Sequence, residues 1–447
     1  MTDSDSPTQR PYVQIALSWC WFFLLLLSYY CLKPLRDGLA SEMAGRLGDL
    51  YLVTFISTII SVSLYSKLVA VVSRRTFVAA VYQFFAVCLV GFGLLFSSSH
   101  RESLLVVSAF FVWVSVFNLF VVTVFWSVMA DLFHPEQGKM WFGMIAAAGS
   151  VGSVCGSAIA LRLSQWTNTT GLIVASLVAL ELASLISIIL LSLRRPQTGE
   201  TAPADSSSPL QPADDLQRNR PAEESGTGGT VWAGFTHVLQ SPYLLAICLF
   251  VSAGKFAATF VYNNLQVSLL DQMPAASERT ALFSRINLYS QSGSLLVQAL
   301  IVGWIMKRLG VGAALLVPAT LTFVLFVWLW HDPSLRTLIA GQVGQQILAY
   351  GLLVPAQHVL FTVVSREDKY KSKAFTETVV FRGSDVAAGK ACDWMVSTGT
   401  PLAFLAAAML PLITAWMAIA GWLGLAYRSQ AELHATNESA KPATTLP

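Results

Sequence analysis

About twelve stretches of this chain are long and apolar enough to cross a bilayer, and no other feature narrows the fold as far. They fall over residues 12–32, 50–72, 77–96, 104–130, 140–163, 171–193, 242–268, 281–306, 309–330, 336–364, 374–396 and 401–427. Inside hydrocarbon a backbone must satisfy its own hydrogen bonds, and runs of that length do so as helices. The expected fold is therefore an all-α integral membrane protein. Composition agrees, since 55% hydrophobic and 12% charged residues exceed what a soluble core needs. The net charge of +3 is scattered over loops with no basic tract interleaved with aromatics, which excludes nucleic acid as a partner class. All six cysteines lie inside apolar runs without CxxC spacing, so packing is expected rather than disulfides or zinc. The first run is longer than a signal-peptide core and no A-x-A-like site follows it, so it is expected to stay as an anchor. No phosphate-binding loop, zinc-protease motif or nucleophile elbow occurs and the histidines share no ligand spacing, so neither enzyme chemistry nor a cofactor or metal is expected.

Between the sixth and seventh runs, residues 194–241 are rich in Pro, Ser, Gly and acidic side chains and too poor in apolar ones to order themselves. They read as a linker between two six-helix halves, 12–193 and 242–428, flanked by a short terminus over 1–11 and a disordered tail over 429–447. Basic residues of short loops gather on one side: Arg74, Arg75, Lys139, Arg194, Arg195, Lys307, Arg308, Arg366, Lys369, Lys371 and Lys373. That asymmetry places both termini and the linker in the cytoplasm, with the chain in a cell membrane. The halves also repeat one another. Arg74-Arg75 and Lys307-Arg308 stand 233 residues apart, as do Phe142 and Phe375. Two such halves joined by a long linker describe the major facilitator architecture, whose site lies at the midplane between halves.

Charges inside the runs mark candidate site residues, because an unpaired charge in hydrocarbon is costly. In the seventh run Lys255, Thr259, Tyr262 and Gln266 recur at helical spacing, with Lys255 about 20 Å along the helix from Pro242. The eighth run repeats the pattern with Asn287, Gln291, Ser294 and Gln298, and the tenth offers Gln342, Gln346 and Gln357. These amides either bond between helices or line a shared aqueous cavity. In the first run Tyr29, Lys33 and Arg36 share a face if the helix continues through Pro34 to Ala40; the other reading ends it at Leu32 and makes "KPLRDGLA" a loop. The eleventh run departs from its repeat partner. "GSVGSVCG" of the fifth run is matched by "RGSDVAAG", so Arg382 stands for Gly149 and Asp385 for Gly152. Asp385 could pair with Arg382, while Lys390 and Asp393 lie further along and could be interfacial.

Glu181 stands alone in the sixth run and is a candidate proton carrier. Arg74, Arg75, Lys307 and Arg308 on one side, with Asp131 and Glu136 at the end of the fourth run, are candidates for a gate whose ion pairs break during transport.

Four strings, "YYCLKPLRDGLA", "FWSVMADLFHPEQGKMWFG", "LQSPYLL" and "REDKYKSKAFTETVVFRGSD", resemble the ATP/ADP translocase-like branch of the major facilitator superfamily, the NTP/NDP exchange transporters and their bacterial relatives. The resemblance implies that basic residues of the first and eleventh helices meet nucleotide phosphates, here Arg36 and either Arg382 or Lys390. The acidic residues associated with exchange have no counterparts in the fifth and eighth helices. Lys33, Arg36, Lys255 and Arg382 outnumber Asp37 and Asp385 among the deep charges, and a positive low-dielectric cavity favours an organic anion. The expected function is secondary transport of a nucleotide or other phosphorylated metabolite by a monomer. The alternatives are a proton-coupled permease or exporter using Glu181 or Asp385, and a membrane scaffold.

Overall fold

The computed structural model describes residues 10–71, 74–98, 103–133, 135–166, 169–193, 238–364, 372–373 and 375–439. Every regular element among them is helical. The first half comprises α1 (Arg10–Ala40), α2 (Leu47–Val71), α3 (Arg74–Ser97), α4 (Leu104–Leu132), α5 (Pro135–Trp166) and α6 (Thr169–Ser192). The second begins with α7 (Pro242–Gln272) and α8 (Ala276–Leu300), which bends by 43° into a continuation, Val302–Arg308. Then come α9 (Gly310–His331), α10 (Leu335–Leu348, a π turn Ala349–Leu353, then Val354–Leu360), α11 (a π turn Thr376–Val380, then Phe381–Ser397) and α12 (Leu402–Ser439).

Among the described residues ten helices are long and apolar enough to cross a membrane, and the bent α8 makes an eleventh. The twelfth expected span, α11, falls short because its α-helical part, Phe381–Ser397, is only 17 residues long and carries Arg382, Asp385, Lys390 and Asp393. A helix that polar crosses a membrane only with its charged face turned into protein or water.

Each half closes around its own apolar core. Trp21, Phe110, Phe117 and Phe125 anchor one built from α1 to α6, and Phe250, Phe260, Phe283 and Phe326 anchor the other from α7 to α12. The glycines of α5 are the packing surface the sequence suggests: a Cβ at Gly149 would strike the Phe22 ring, and one at Gly156 would approach Leu27 O within 2.6 Å, so α1 lies directly on α5. The six cysteines are free.

Two expectations resolve or change here, and one falls outside the described residues. Helix α1 runs unbroken to Ala40 with Pro34 inside it, so Lys33 and Arg36 are helical rather than on a loop. The carbonyl freed four residues before Pro34 belongs to Tyr30, beside the central charges. The tail expected to be disordered from 429 is instead helical to Ser439, since "SQAELHATNES" contains good helix formers. The linker over 194–241 lies outside the described residues except for its last four.

Candidate functional site

The last turns of α1 carry the first cluster. Arg36 turns its guanidinium onto Asp37, with Nε and Nη2 donating to Oδ1 at 2.9 and 2.6 Å. Across the first half it donates to Ser115 Oγ at 3.4 Å and lies 5.0 Å from the Phe111 ring centroid, both on α4. Asp37 is only 2% exposed and looks toward the second half, accepting from the Tyr262 hydroxyl at 3.1 Å. One turn on, Gln266 donates to the Asp37 carbonyl at 3.0 Å and accepts from Ser41 Oγ at 2.5 Å. The Tyr262–Gln266 part of the α7 stripe thus clasps the end of α1.

The other part of that stripe meets α11. Lys255 Nζ lies 2.8 Å from Asp385 Oδ1, and Thr259 Oγ1 donates to the same oxygen at 3.3 Å. Lys255 also sits 4.0 Å from the Phe381 ring centroid. Asp385 is therefore the partner of Lys255, not of Arg382 as the sequence suggests. The i, i+3 spacing on α11 allowed the local pair, but α7 brings a cation to the same carboxylate.

Arg382, half-buried, is left with the Phe381 ring as its neighbour and no carboxylate partner among the described residues. It lies within electrostatic reach of Tyr29, as Arg36 does. Lys33, 7% exposed, is in a similar position: its Nζ donates to Asn287 Oδ1 at 2.5 Å and no acidic group lies in ion-pair range among the described residues. Four cations and two carboxylates thus gather from the two halves, and Lys33 and Arg382 are the two cations with no carboxylate in ion-pair contact among the described residues.

Helix α8 supplies the polar wall. Asn287 meets Lys33, Gln291 accepts from Ser153 Oγ on α5 at 3.2 Å, Ser294 donates to the Gln346 carbonyl at 3.4 Å, and Gln298 donates to the Tyr350 carbonyl at 2.9 Å. Tyr350 lies within electrostatic reach of Tyr29, Arg36, Asp37 and Asp385, yet 43% of its surface is accessible. The π turns fall at this level, one containing Tyr350 and the other ending just before Phe381 and Arg382.

At one end of the bundle, where α1 and α7 end and α2 and α8 begin, the halves are in close contact. Arg279, 1% exposed, donates to Gly38 O at 3.1 Å and Glu42 Oε1 at 3.1 Å in the first half, and to Met273 O and Pro274 O at 2.9 and 2.8 Å in its own. A Cβ on Gly38 would lie 2.8 Å from Thr280 N, so the chain passes there only as glycine. Lys390 pairs with Asp49, and Asp393 Oδ2 accepts from Gly48 N at 2.8 Å. Tyr51 donates to Asn263 Oδ1 at 3.0 Å. Lys390 and Asp393, read from sequence as interfacial, join α11 to α2. Arg279 and Glu42 carried no periodic signal that could have singled them out.

The remaining expected site residues lie elsewhere. Glu181 is on the exposed face of α6, accepting from Gln83 Nε2 of α3 at 2.8 Å, away from the central charges. Asp131, Lys307 and Arg308 are exposed at helix ends, and the side chains of Arg74, Arg75 and Glu136 lie outside the described residues. Among the described residues no group of three metal-ligating side chains occurs.

No protein-family model and no curated protein sequence matches the chain. Solved structures do. A bacterial homologue of the iron transporter ferroportin in an inward-facing state superposes with a TM-score of 0.59 at 13% identity, over 94% of this chain and 99% of that one. The nucleoside transporter NupG gives 0.55 at 15% identity over 93% and 98%, and a bacterial homologue of the lysosomal transporter Spinster, inward-facing and unoccupied, gives 0.54 at 14% over 96% and 98%. This is the major facilitator fold. Coverage of nearly the full length of each chain means that both halves belong to the likeness. Lys33 and Arg36 lie on α1 of the first half, and Lys255 and Arg382 on α7 and α11 of the second.

Proposed function

We propose that the protein is a secondary transporter for a small organic anion, a nucleotide or another phosphorylated metabolite, working by alternating access of its two halves. The observation that carries this reading is the pair of cations without an ion-pair contact. Arg36 and Lys255 have internal carboxylates, whereas Lys33 and Arg382 have none among the described residues. An ionic surplus of two in a poorly solvated site is most simply balanced by an anionic ligand. A guanidinium suits phosphate oxygens by two-pronged bonding, and the ammonium adds a point charge. The resemblance to NTP/NDP exchangers supports the nucleotide, as does a fold shared with a nucleoside transporter. NTP/NDP exchange is the narrower form of the proposal, in a monomer in the cell membrane with both termini cytoplasmic.

Asp385 favours a second reading. It accepts from both Lys255 and Thr259 at the meeting of α7 and α11, so protonation would release Lys255 and couple transport to a proton gradient. Uptake into proteoliposomes preloaded with different nucleotides, with and without a pH gradient, tests both. Uptake that needs preloaded nucleotide supports exchange; uptake that follows the gradient supports proton coupling; no uptake of any phosphorylated compound rejects the anion.

A further inference from the structure

A carboxylate stands in the middle of the outer surface of the first half. Glu181 lies near the centre of the span Thr169–Ser192, about 17 Å from either end, so its short side chain reaches water on neither side. It is nevertheless exposed, and the exposed residues around it are apolar: Val178, Leu182 and Leu185 on α6, Phe84 and Val87 on α3. Its hydrogen bond among the described residues comes from Gln83 Nε2 of α3 at 2.8 Å. A carboxylate only accepts, so the nitrogen is the amide end that faces it. The second N–H and the carbonyl oxygen of Gln83, and the other carboxylate oxygen, have no partner among the described residues, on a surface that meets hydrocarbon. The face is also patterned. Exposed Ala80, Gln83, Val87, Val90 and Leu94 on α3 recur in steps of three and four, as do exposed Val174, Val178, Glu181 and Leu185 on α6. That is the spacing of a seam between packed helices, with one polar residue in each row. A face that meets only lipid has no use for such a residue, whereas in a seam it sets register.

We propose that this face of α3 and α6 docks a second copy of the same chain, the Glu181–Gln83 pairs of the two copies bonding each other about a two-fold axis along the membrane normal. A partner here must bring an N–H to the carboxylate and an acceptor to the free amide N–H, both at mid-membrane depth. The pair itself brings both. Two copies inserted in the same direction share one depth, so the axis sets Glu181 of each copy level with Gln83 of the other without further adjustment. Each carboxylate then accepts from two amides, and the apolar residues of the two rows close over them. The inference goes beyond the transport proposal. The central charges lie on α1, α7 and α11, so each copy keeps its own set and the single chain remains the transporting unit.

The test counts chains. Full-length protein carrying one fluorophore at its C-terminus is reconstituted into phosphatidylcholine vesicles over a range of dilutions, and the photobleaching steps of each spot are counted. The wild type is expected to bleach in two steps at densities where a double variant, Glu181→Leu with Gln83→Leu, bleaches in one, its association being weaker by about tenfold or more. Both positions are exposed in the single chain, so leucine there leaves the fold intact, which the elution profile in detergent checks. Exchanging the two residues, Glu181→Gln with Gln83→Glu, keeps every donor and acceptor and should restore two-step bleaching. A wild type that bleaches in one step at every density overturns the proposal, since lipid or a different protein then covers the face. Dimers that the leucine variant leaves undiminished place the contact elsewhere and overturn it too, as does an exchanged protein no more associated than the leucine variant.

Discussion

Replacing Arg279 with Met should open the closed end of the bundle. Of the four acceptors this guanidinium serves, Met273 O and Pro274 O belong to its own half and cap the end of α7, while Gly38 O and Glu42 belong to the other half. Only the last two change when the halves separate. Hydrogen bonds to a charged group contribute about 1.5–3 kcal/mol each when buried, but Glu42 is 26% exposed and its share is screened. The bonds between halves together are then worth about 3 kcal/mol, which moves a two-state equilibrium by more than about a hundredfold. Methionine keeps the apolar length of the stem, so the cavity left behind is small. Spin labels at Arg46 and Ser277, both exposed at this end, would report the separation by pulsed electron resonance. A longer distance should become the main population in the variant, with a smaller shift for Glu42→Gln. An unchanged distance distribution in a folded Arg279→Met protein would refute the assignment of Arg279 as the tie between halves.

Three further outcomes follow from the same contacts. Asp385→Asn removes the counter-charge of Lys255, so binding of a phosphorylated anion should tighten by about tenfold at an effective dielectric near 20, measured by calorimetric titration; weaker binding would mean that Asp385 itself touches the substrate. Gly48→Ala places a Cβ 2.6 Å from the backbone nitrogen of Lys390 and should lengthen the spin-label distance as Arg279→Met does, whereas no change would show that α2 and α11 can shift to absorb it. Glu181→Gln should leave proteoliposome uptake within about twofold, because the side chain lies on the exposed face of α6 against Gln83; loss of gradient-driven uptake would restore it as a proton carrier.

The fold was legible because hydrocarbon leaves few choices. Runs of sufficient length become helices, and the 233-residue offset between halves showed where α11 departs from its repeat partner α5 by carrying Arg382 and Asp385 in place of Gly149 and Gly152. Helical periodicity also found the right faces: Lys255, Thr259, Tyr262 and Gln266 all point at α1 or α11. Periodicity does not carry partners. The choice of Lys255 over Arg382 by Asp385 depends on how α7 and α11 dock across more than a hundred residues of chain. Arg36 and Asp37 are adjacent in sequence and nominally diverge on a helix, yet the long guanidinium folds back to its neighbour. Arg279 was invisible because its partners are mostly backbone carbonyls, which every residue possesses.

The central claim is that Lys33 and Arg382 receive the charge of the substrate. Its most direct test is calorimetric titration of the wild type, Lys33→Gln and Arg382→Gln with mono-, di- and triphosphate nucleotides and with the neutral nucleoside. The wild type should bind more tightly with each added phosphate charge. Each variant should lose about tenfold or more toward the nucleotides, with a flatter dependence on phosphate number and an unchanged affinity for the nucleoside. Equal weakening toward the nucleoside, or an undiminished dependence on phosphate charge, would contradict the account.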